Sequence, residues 1–546
     1  NISLCGHCDS LHNFEHNPSA QHGNFLALLQ FRIAAGDTVL KEHLLSGSVV
    51  KRNATYTSYR IQNEILDILG NIITQKIVTK IEMASYYSII IADKVTDCSN
   101  KEQLAIVLRC VNADDNVIHE DLLAFLECDS GITGSALSQK IISFLVSLGL
   151  DLSKLRDQAY DGAGNMSGSL KGTAALIFKD HPLALYLHCA SHNLNLAVVK
   201  CLDERSISNM IGTVEKVSIF FSAHPKRQRK LEDSIDNTLP AGTLPSRVKK
   251  LKDLCRTRWV ERIDALDWFW KLLPCLVSCF EAISNEDANT LSLAITTTEF
   301  LSALVITSAC LSYLMPLTKS LQSEAHELDQ AVSENYHFLD CRCQTQRSNI
   351  PSQTPKEYYR QTFMIPLLDY IISEMTSRFD KHQQLALSGL VLIPSVLVKR
   401  SLDEATTQIV DVGKMYTDDL PFPSCLHGEA HTWHLKWTEE NSRGSAFLPT
   451  TLETTLPHAT SMFPNITELL RILCTLPVTS CSAEQSFSGL KRIKTAMRSK
   501  MGNDRLTSNA LLHLHRDVSV EVPTVINEFA KLHPTRLEVG NILSDN

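Results

Sequence analysis

The chain has 546 residues, 44% of them hydrophobic and 21% charged, with a formal net charge of −8. That length exceeds a single core and implies two or three domains at roughly 100 to 200 residues each. The acidic balance excludes a uniformly basic nucleic-acid binder, so any such contact has to come from local patches. No apolar run approaches the roughly 18 to 20 residues that span a bilayer, so no membrane partner is expected. Sixteen cysteines without a repeating spacing argue for reduced thiols in the cytosol or nucleus. Asn1, not Met, stands first and no charged-then-apolar leader follows it; the sequence reads as a fragment without a signal peptide, and secretion is not expected.

Taken in order, residues 1–24 hold Cys5, Cys8, His12, His16 and His22. Cys5, Cys8, His16 and His22 have zinc-like but compressed spacing, which reads as the remnant of an N-terminal zinc-finger module in preference to a working zinc site. Residues 25–86 form an N-terminal helical region: apolar residues recur at helical spacing over 25–45 and more strongly over 59–85.

The stretch YSIIIADKVTD follows, from Tyr87 to Asp97. Ile89, Ile90 and Ile91 predict a buried central strand over 87–93 that delivers the Asp93 carboxylate to a sheet edge, although an aspartate after a strand is also a common turn residue. Further strands are expected over 103–111 and 117–128, and the short polar links between them favour an antiparallel meander. A helix (134–148), a strand (153–160) ending at Asp161, a helix (170–179), a strand (184–188) and a helix (189–201) come next. The fold class is therefore α/β. Three antiparallel strands followed by alternating helix and strand is the order of a ribonuclease-H-like core, and that order makes the ends of the first and fourth strands neighbours.

Asp161 opens the turn of AYDGAGNMSG, whose small residues leave the backbone open to a phosphate or a hydrated metal; alone it is a weak signal. Between Lys226 and Arg262, eleven Lys or Arg face five acids. This basic connection contains HPKRQRK, with Lys226, Arg227, Arg229 and Lys230, and reads either as a phosphate-binding loop, an import signal or a solvated linker. Residues 263–465 are expected to be mostly helical, with Ser-, Thr- and Pro-rich interruptions; Trp268 and Trp270 are expected in its core. Helices over 464–473, 482–490 and 504–515 and the basic residues Lys491, Arg492, Lys494, Arg498, Lys500 and Arg505 follow, and 521–546 form a tail.

AYDGAGNMSG, HCASHNLNLA (188–197), RTRWVERIDAL (256–266) and TLPVTSCSAEQSFSGLKRIKTAMRSKMGNDRL (475–506), in this order, resemble the hAT superfamily of cut-and-paste DNA transposases. More narrowly, they are similar to the transposase-derived part of zinc-finger MYM-type and TTF-type finger proteins. The resemblance implies a ribonuclease-H-like core, here 87–262 and 466–520, interrupted by a large all-α insertion domain, 263–465. It also implies a catalytic and metal-binding triad of Asp93, Asp161 and Glu484 holding two Mg²⁺ ions, or Mn²⁺, for DNA strand cleavage and transfer.

The resemblance further implies DNA contacts by His192 and Arg258, with Trp259 able to stack on an extruded base. Cys189 is read as packing. A C-terminal dimerisation region would use Leu506, Leu511 and Leu514, although that apolar face is equally able to pack on its own core. The expected partners are double-stranded DNA (transposon ends) and a second copy of the chain, or a higher homo-oligomer, in the nucleus. Lys94 and Gln485 depart from the residues usual beside the first aspartate and the glutamate. The alternative is a domesticated, non-catalytic nuclear protein that keeps the fold and the dimerisation surface for DNA or protein interaction.

Overall fold

A computed structural model of the chain describes residues 23–45, 56–91, 95–112, 116–129, 131–160, 164–202, 205–238, 250–251, 259–283, 285–315, 354–377, 388–443, 448–477, 481–495 and 501–533. The zinc-like residues Cys5, Cys8, His16 and His22 lie outside these, as do Asp93, Asp161 and Arg258.

The N-terminal periodicity over 25–45 resolves into two helices, α1 (Asn24–Ala34) and α2 (Thr38–Leu45), instead of one. Gly36 adopts φ +105° between them, a backbone state that ends a helix and that glycine tolerates best. The long helix α3 (Tyr59–Met83) starts where the Ser58 hydroxyl accepts from the Ile61 N–H and ends at Ala84, whose backbone turns extended.

The sheet is mixed: β1 (Tyr87–Ile91), β2 (Val95–Thr96), β3 (Glu102–Val111), β4 (Ile118–Glu127), β5 (Leu155–Tyr160) and β6 (Leu185–His188). β3 pairs antiparallel with β1 and β4, β5 runs parallel to β1, and β6 parallel to β5. Because β4 takes one edge of β3 from Gln103 to Val111, the two-residue β2 sits on the other edge, on the line of β1 beyond its end. Every β1 residue is buried, as the uninterrupted apolar run requires of a central strand covered on both faces. A bulge in β4 at Leu123, where Leu122 faces Val107 and Ala124 faces Ile106, restores the side-chain phase. It lets Leu122 and Phe125, three residues apart, join one core.

One face of the sheet is covered by α3, by α4 (Gly134–Ser147) and by the helix Thr173–Asp180, through Ile73, Ile77, Ile81, Leu137, Ile141 and Ile177. On the other face, two helical layers share the work. Helices from the 390–476 region bury Leu392, Ile472 and Leu473 against Leu185, Leu187 and Val111. Further along, α17 (Cys481–Ile493) and α18 (Asn503–Leu514) place Ala483, Phe487, Leu490 and Leu506 on Ile90, Ala105, Val107 and Phe125.

A separate apolar core is built by α8 (Arg205–Ser222), α9 (Pro225–Thr238), α10 (Trp259–Ile283), α11 (Glu286–Ile295) and α12 (Thr298–Ser312). It also takes Leu194, Ala197 and Val198 of α7 (Ala190–Cys201), so it is continuous with the helix that leaves β6. This is a ribonuclease-H-like core with a large helical insertion.

Candidate functional site

The site lies where β1 and β5 end side by side. Ile90 is in register with Ala159, so the chain leaves the two parallel strands at the same edge of the sheet, one residue after Ile91 and after Tyr160. Asp93 and Asp161 belong to the segments beyond these ends and lie outside the described residues.

Glu484 is the fourth residue of α17, and that helix lies along the sheet, fixed to it at three points. Phe487 stacks on Phe125 at 5.9 Å between ring centroids. At the helix's N-terminal end, the buried Arg109 guanidinium of β3 pairs with its cross-strand neighbour Glu120 at 2.5 Å and donates to the Cys474 carbonyl at 3.0 Å. Glu120 in turn accepts a short hydrogen bond from the Ser482 hydroxyl. A single ion pair thus ties the end of one helix (Pro464–Thr475) and the start of α17 to β3 and β4.

At the other end of α17, Lys494 Nζ lies 2.7 Å from Asp97 Oδ2, with the two side chains 2% and 0% exposed. Asp97 follows β2 directly. Its Oδ1 accepts from the Ser99 N–H at 2.7 Å and the Lys101 N–H at 3.2 Å, and Oδ2 also accepts from Gln103 Nε2 at 3.3 Å. Burial by itself would push the Asp97 carboxyl up; the Lys494 ammonium and these hydrogen bonds outweigh it and hold the group below the usual carboxylate value. Lys494, counted by sequence within a basic run, is therefore a buried structural cation. Among the other members of that run, Lys491 and Arg492 are exposed and Arg498 and Lys500 lie outside the described residues.

The remaining candidates are spread over the molecule. His192 is partly exposed near the start of α7, and its backbone N–H donates to the Cys189 sulfur at 3.4 Å; Cys189 itself is buried. HPKRQRK is a helix and not a loop: it opens α9, which anchors itself through the buried Leu231 and Ile235. Arg227 stacks over Phe220 at 3.9 Å, whereas Lys226, Arg229 and Lys230 are exposed, Lys230 donating to the Ala282 carbonyl at 3.3 Å.

Trp259 is the first residue of α10. Of the tryptophans expected in the core, Trp270 is 45% exposed and Trp268 is half-buried beside Lys271. Leu266, Phe269 and Leu272 set the buried phase of that helix, and Phe269 takes the place the tryptophans were expected to fill.

Leu506 and Leu511 are buried within the chain's own core, Leu506 against α17 and Leu511 against the α3 side. Of the three leucines expected at a dimer surface, Leu514 alone is exposed, at 37%. Among the described residues, no three His, Cys, Asp or Glu side chains stand close enough to share a metal ion.

Two family models match the chain, one described as the ZMYM1/FAM200 RNase-like domain over residues 2–172 and one as the hAT family C-terminal dimerisation region over residues 447–518. Over these two segments the chain is similar to hAT-superfamily, transposase-like proteins. The first match ends in the helix-bearing segment after β5. The second spans Pro464–Thr475, α17 and α18, so the segment matching the dimerisation region is also an integral layer of this chain's core.

Similar proteins include the mouse protein named 52 kDa repressor of the inhibitor of the protein kinase, 29% identical over 575 residues (96% of this chain, 74% of the relative). The human protein of the same name is 28% identical over 593 residues (99% of this chain, 75% of the relative).

The ties that position α17 were not read from sequence. Arg109, Glu120 and Ser482 carry no local signal, and Asp97 and Lys494, almost four hundred residues apart, become partners only once the last helices close on the sheet.

Proposed function

We propose that this chain is a transposase-derived nuclear interaction protein that keeps the hAT body for self-association and for contact with DNA or protein, without strand cleavage as its working activity. The observation that carries this reading is the likeness, along nearly the whole chain, to two proteins named as repressors. Lys94 and Gln485, which depart from the residues usual beside the catalytic acids, support the same reading. DNA contact would fall to Lys226 and Arg229, whose side chains are exposed, with His192, Arg258 and Trp259 as further contacts.

The second reading, Mg²⁺- or Mn²⁺-dependent DNA strand cleavage, is favoured by one arrangement: β1 and β5 end together, and α17 is fixed at both ends to the sheet that carries them. In that reading Asp93, Asp161 and Glu484 supply the hard oxygen ligands that suit two divalent ions, which would activate a water or 3′-hydroxyl and stabilise the leaving oxygen.

The experiment is a side-by-side measurement of duplex-DNA binding and oligomeric state for the wild-type chain and Glu484→Gln. The interaction reading expects both properties unchanged by the substitution. A wild-type chain that binds neither DNA nor a second copy of itself would refute it.

A further inference from the structure

The turn between the helical segments Gly164–Ser167 and Thr173–Asp180, which follow β5, carries the most exposed large apolar side chain among the described residues: Leu170 is 85% exposed, between the exposed Ser169 and Lys171. Loop tips in water are ordinarily polar and loose. This tip is apolar, and its backbone is clamped. A Cβ at Gly168 would lie 2.7 Å from the Gly164 carbonyl oxygen; one at Gly172 would meet the Gly168 nitrogen, and one at Gly134, the first residue of α4, the Lys171 carbonyl oxygen, more closely still. No side chain fits at such approaches, so backbone packs directly on backbone around Leu170. Hydrogen bonds close the same frame: the Gly172 N–H donates to the Gly168 carbonyl at 2.9 Å, the Thr173 hydroxyl to the Asn165 carbonyl at 3.2 Å, and Asn165 Nδ2 to the Ile132 carbonyl at 2.8 Å.

The turn stands at the edge of the sheet where β1 and β5 end. β4 is antiparallel to β3 and β3 to β1, so β4 ends at that edge too, and α4, which starts there, is the element on which the turn is packed. We propose that Leu170 is an apolar wedge that enters a base step of duplex DNA, with Lys171 against a flanking phosphate. The inference rests on the DNA-contact part of the functional reading and says what that contact does to the duplex. Rigidity is the physical requirement: a wedge has to meet the cost of unstacking two base pairs, and a loose tip would swing aside.

Two features favour DNA over a protein partner. A single apolar side chain falls far short of the roughly 800 Å² per partner that a stable protein interface buries, whereas one Leu, Ile or Phe suffices to open a base step. Its neighbours are those of a phosphate-facing surface: Ser169 brings a hydroxyl, and Lys171 is exposed with no ion pair among the described residues.

The test is duplex-DNA binding by the full chain, wild type beside Leu170→Ser, Leu170→Phe and Lys171→Ala, on a fully paired duplex of about 25 base pairs and on the same duplex with one central mismatch. A mismatch lowers the cost of unstacking, so the wild-type chain binds that duplex about threefold to tenfold more tightly, and end-to-end fluorescence transfer reports a bend in the bound duplex. Leu170→Ser loses both the preference and the bend; Leu170→Phe, which keeps an apolar wedge, retains them. Lys171→Ala keeps the preference and lowers the log–log salt slope by about 1.

Equal affinity of the wild-type chain for the two duplexes, or a preference and bend that Leu170→Ser leaves intact, overturns the wedge while DNA contact stands. A wild-type chain that binds neither duplex removes DNA contact and the wedge together. Thermal melts accompany each variant: Leu170 is exposed, so Leu170→Ser is expected to keep the wild-type midpoint. A preference lost only in step with a lowered midpoint counts against the wedge.

Discussion

Asp97 and Lys494 meet at 2.7 Å in a position closed to solvent, and the pair joins the end of β2 to the end of α17, 397 residues later in the chain. Through it, the helix carrying Glu484 is tied to the turn between β2 and β3. Replacing Lys494 by Met leaves the Asp97 carboxylate buried without its cation and destabilises this region by about 3 to 5 kcal/mol. Replacing both, Asp97→Asn with Lys494→Met, recovers a large part of that loss. Amide hydrogen exchange in α17 is the direct measurement, with protection lost in the single variant and substantially restored in the double.

The same pair gives a pH dependence of known sign. The folded-state pKa of Asp97 lies below its ordinary value, so its contribution to stability is fully present above about pH 4 and is lost as pH falls through the folded value. Exchange in α17 is therefore expected to rise on acidification below that range in the wild type. In the Asp97→Asn and Lys494→Met double variant this component of the acid response disappears.

Helix α18 crosses α3 at Gly70, where an added Cβ would lie 2.7 Å from the Ser508 hydroxyl oxygen and 3.1 Å from the Ser508 Cα. Gly70→Ala forces the two helices apart and destabilises the chain by about 1 to 3 kcal/mol despite the better helix propensity of alanine. Ser508→Ala removes only the nearest atom and gives partial rescue, read as the shift in thermal midpoint.

Burial of Leu506 in the chain's own core separates folding from assembly. Leu506→Ala removes a fully buried side chain packed beside Phe487 and Ala510, and lowers stability by about 2 to 5 kcal/mol. Thermal melts of the variant at dilutions where the chain is monomeric show the same loss as at high concentration. A loss seen only at concentrations that support a dimer would contradict this placement.

The four cations of HPKRQRK divide by what they touch. Lys226 and Arg229 are exposed on α9, so replacing both by Ala reduces the log–log salt slope of duplex-DNA binding by about 2 without changing the thermal midpoint. Arg227→Ala removes the stack on Phe220 and lowers the midpoint as well.

The order of elements was legible because each signal was local. Ile89 to Ile91 could only be a covered strand, the polar links before and after β3 were too short for a crossover, and the 59–85 periodicity ran for seven turns. The break at Gly36 and the two-residue β2 were missed because a single glycine and a two-residue pairing leave no periodic trace. At the site, the sheet order correctly brought the ends of β1 and β5 together. Long-range electrostatics were invisible: nothing near Lys494 distinguishes it from Lys491, yet one is buried on Asp97 and the other faces solvent. The reading of Trp268 and Trp270 failed for a related reason, since size alone favoured the core while helical phase assigned it to Phe269.

The measurement that bears most directly on the function is Mg²⁺- and Mn²⁺-dependent nicking of duplex DNA by the full chain beside its Glu484→Gln variant, with DNA binding and oligomeric state recorded on the same samples. An interaction protein shows binding and self-association with no metal-dependent nicking that Glu484→Gln removes. Metal-dependent nicking by the wild-type chain that is lost in Glu484→Gln would contradict the account and assign strand cleavage to Asp93, Asp161 and Glu484.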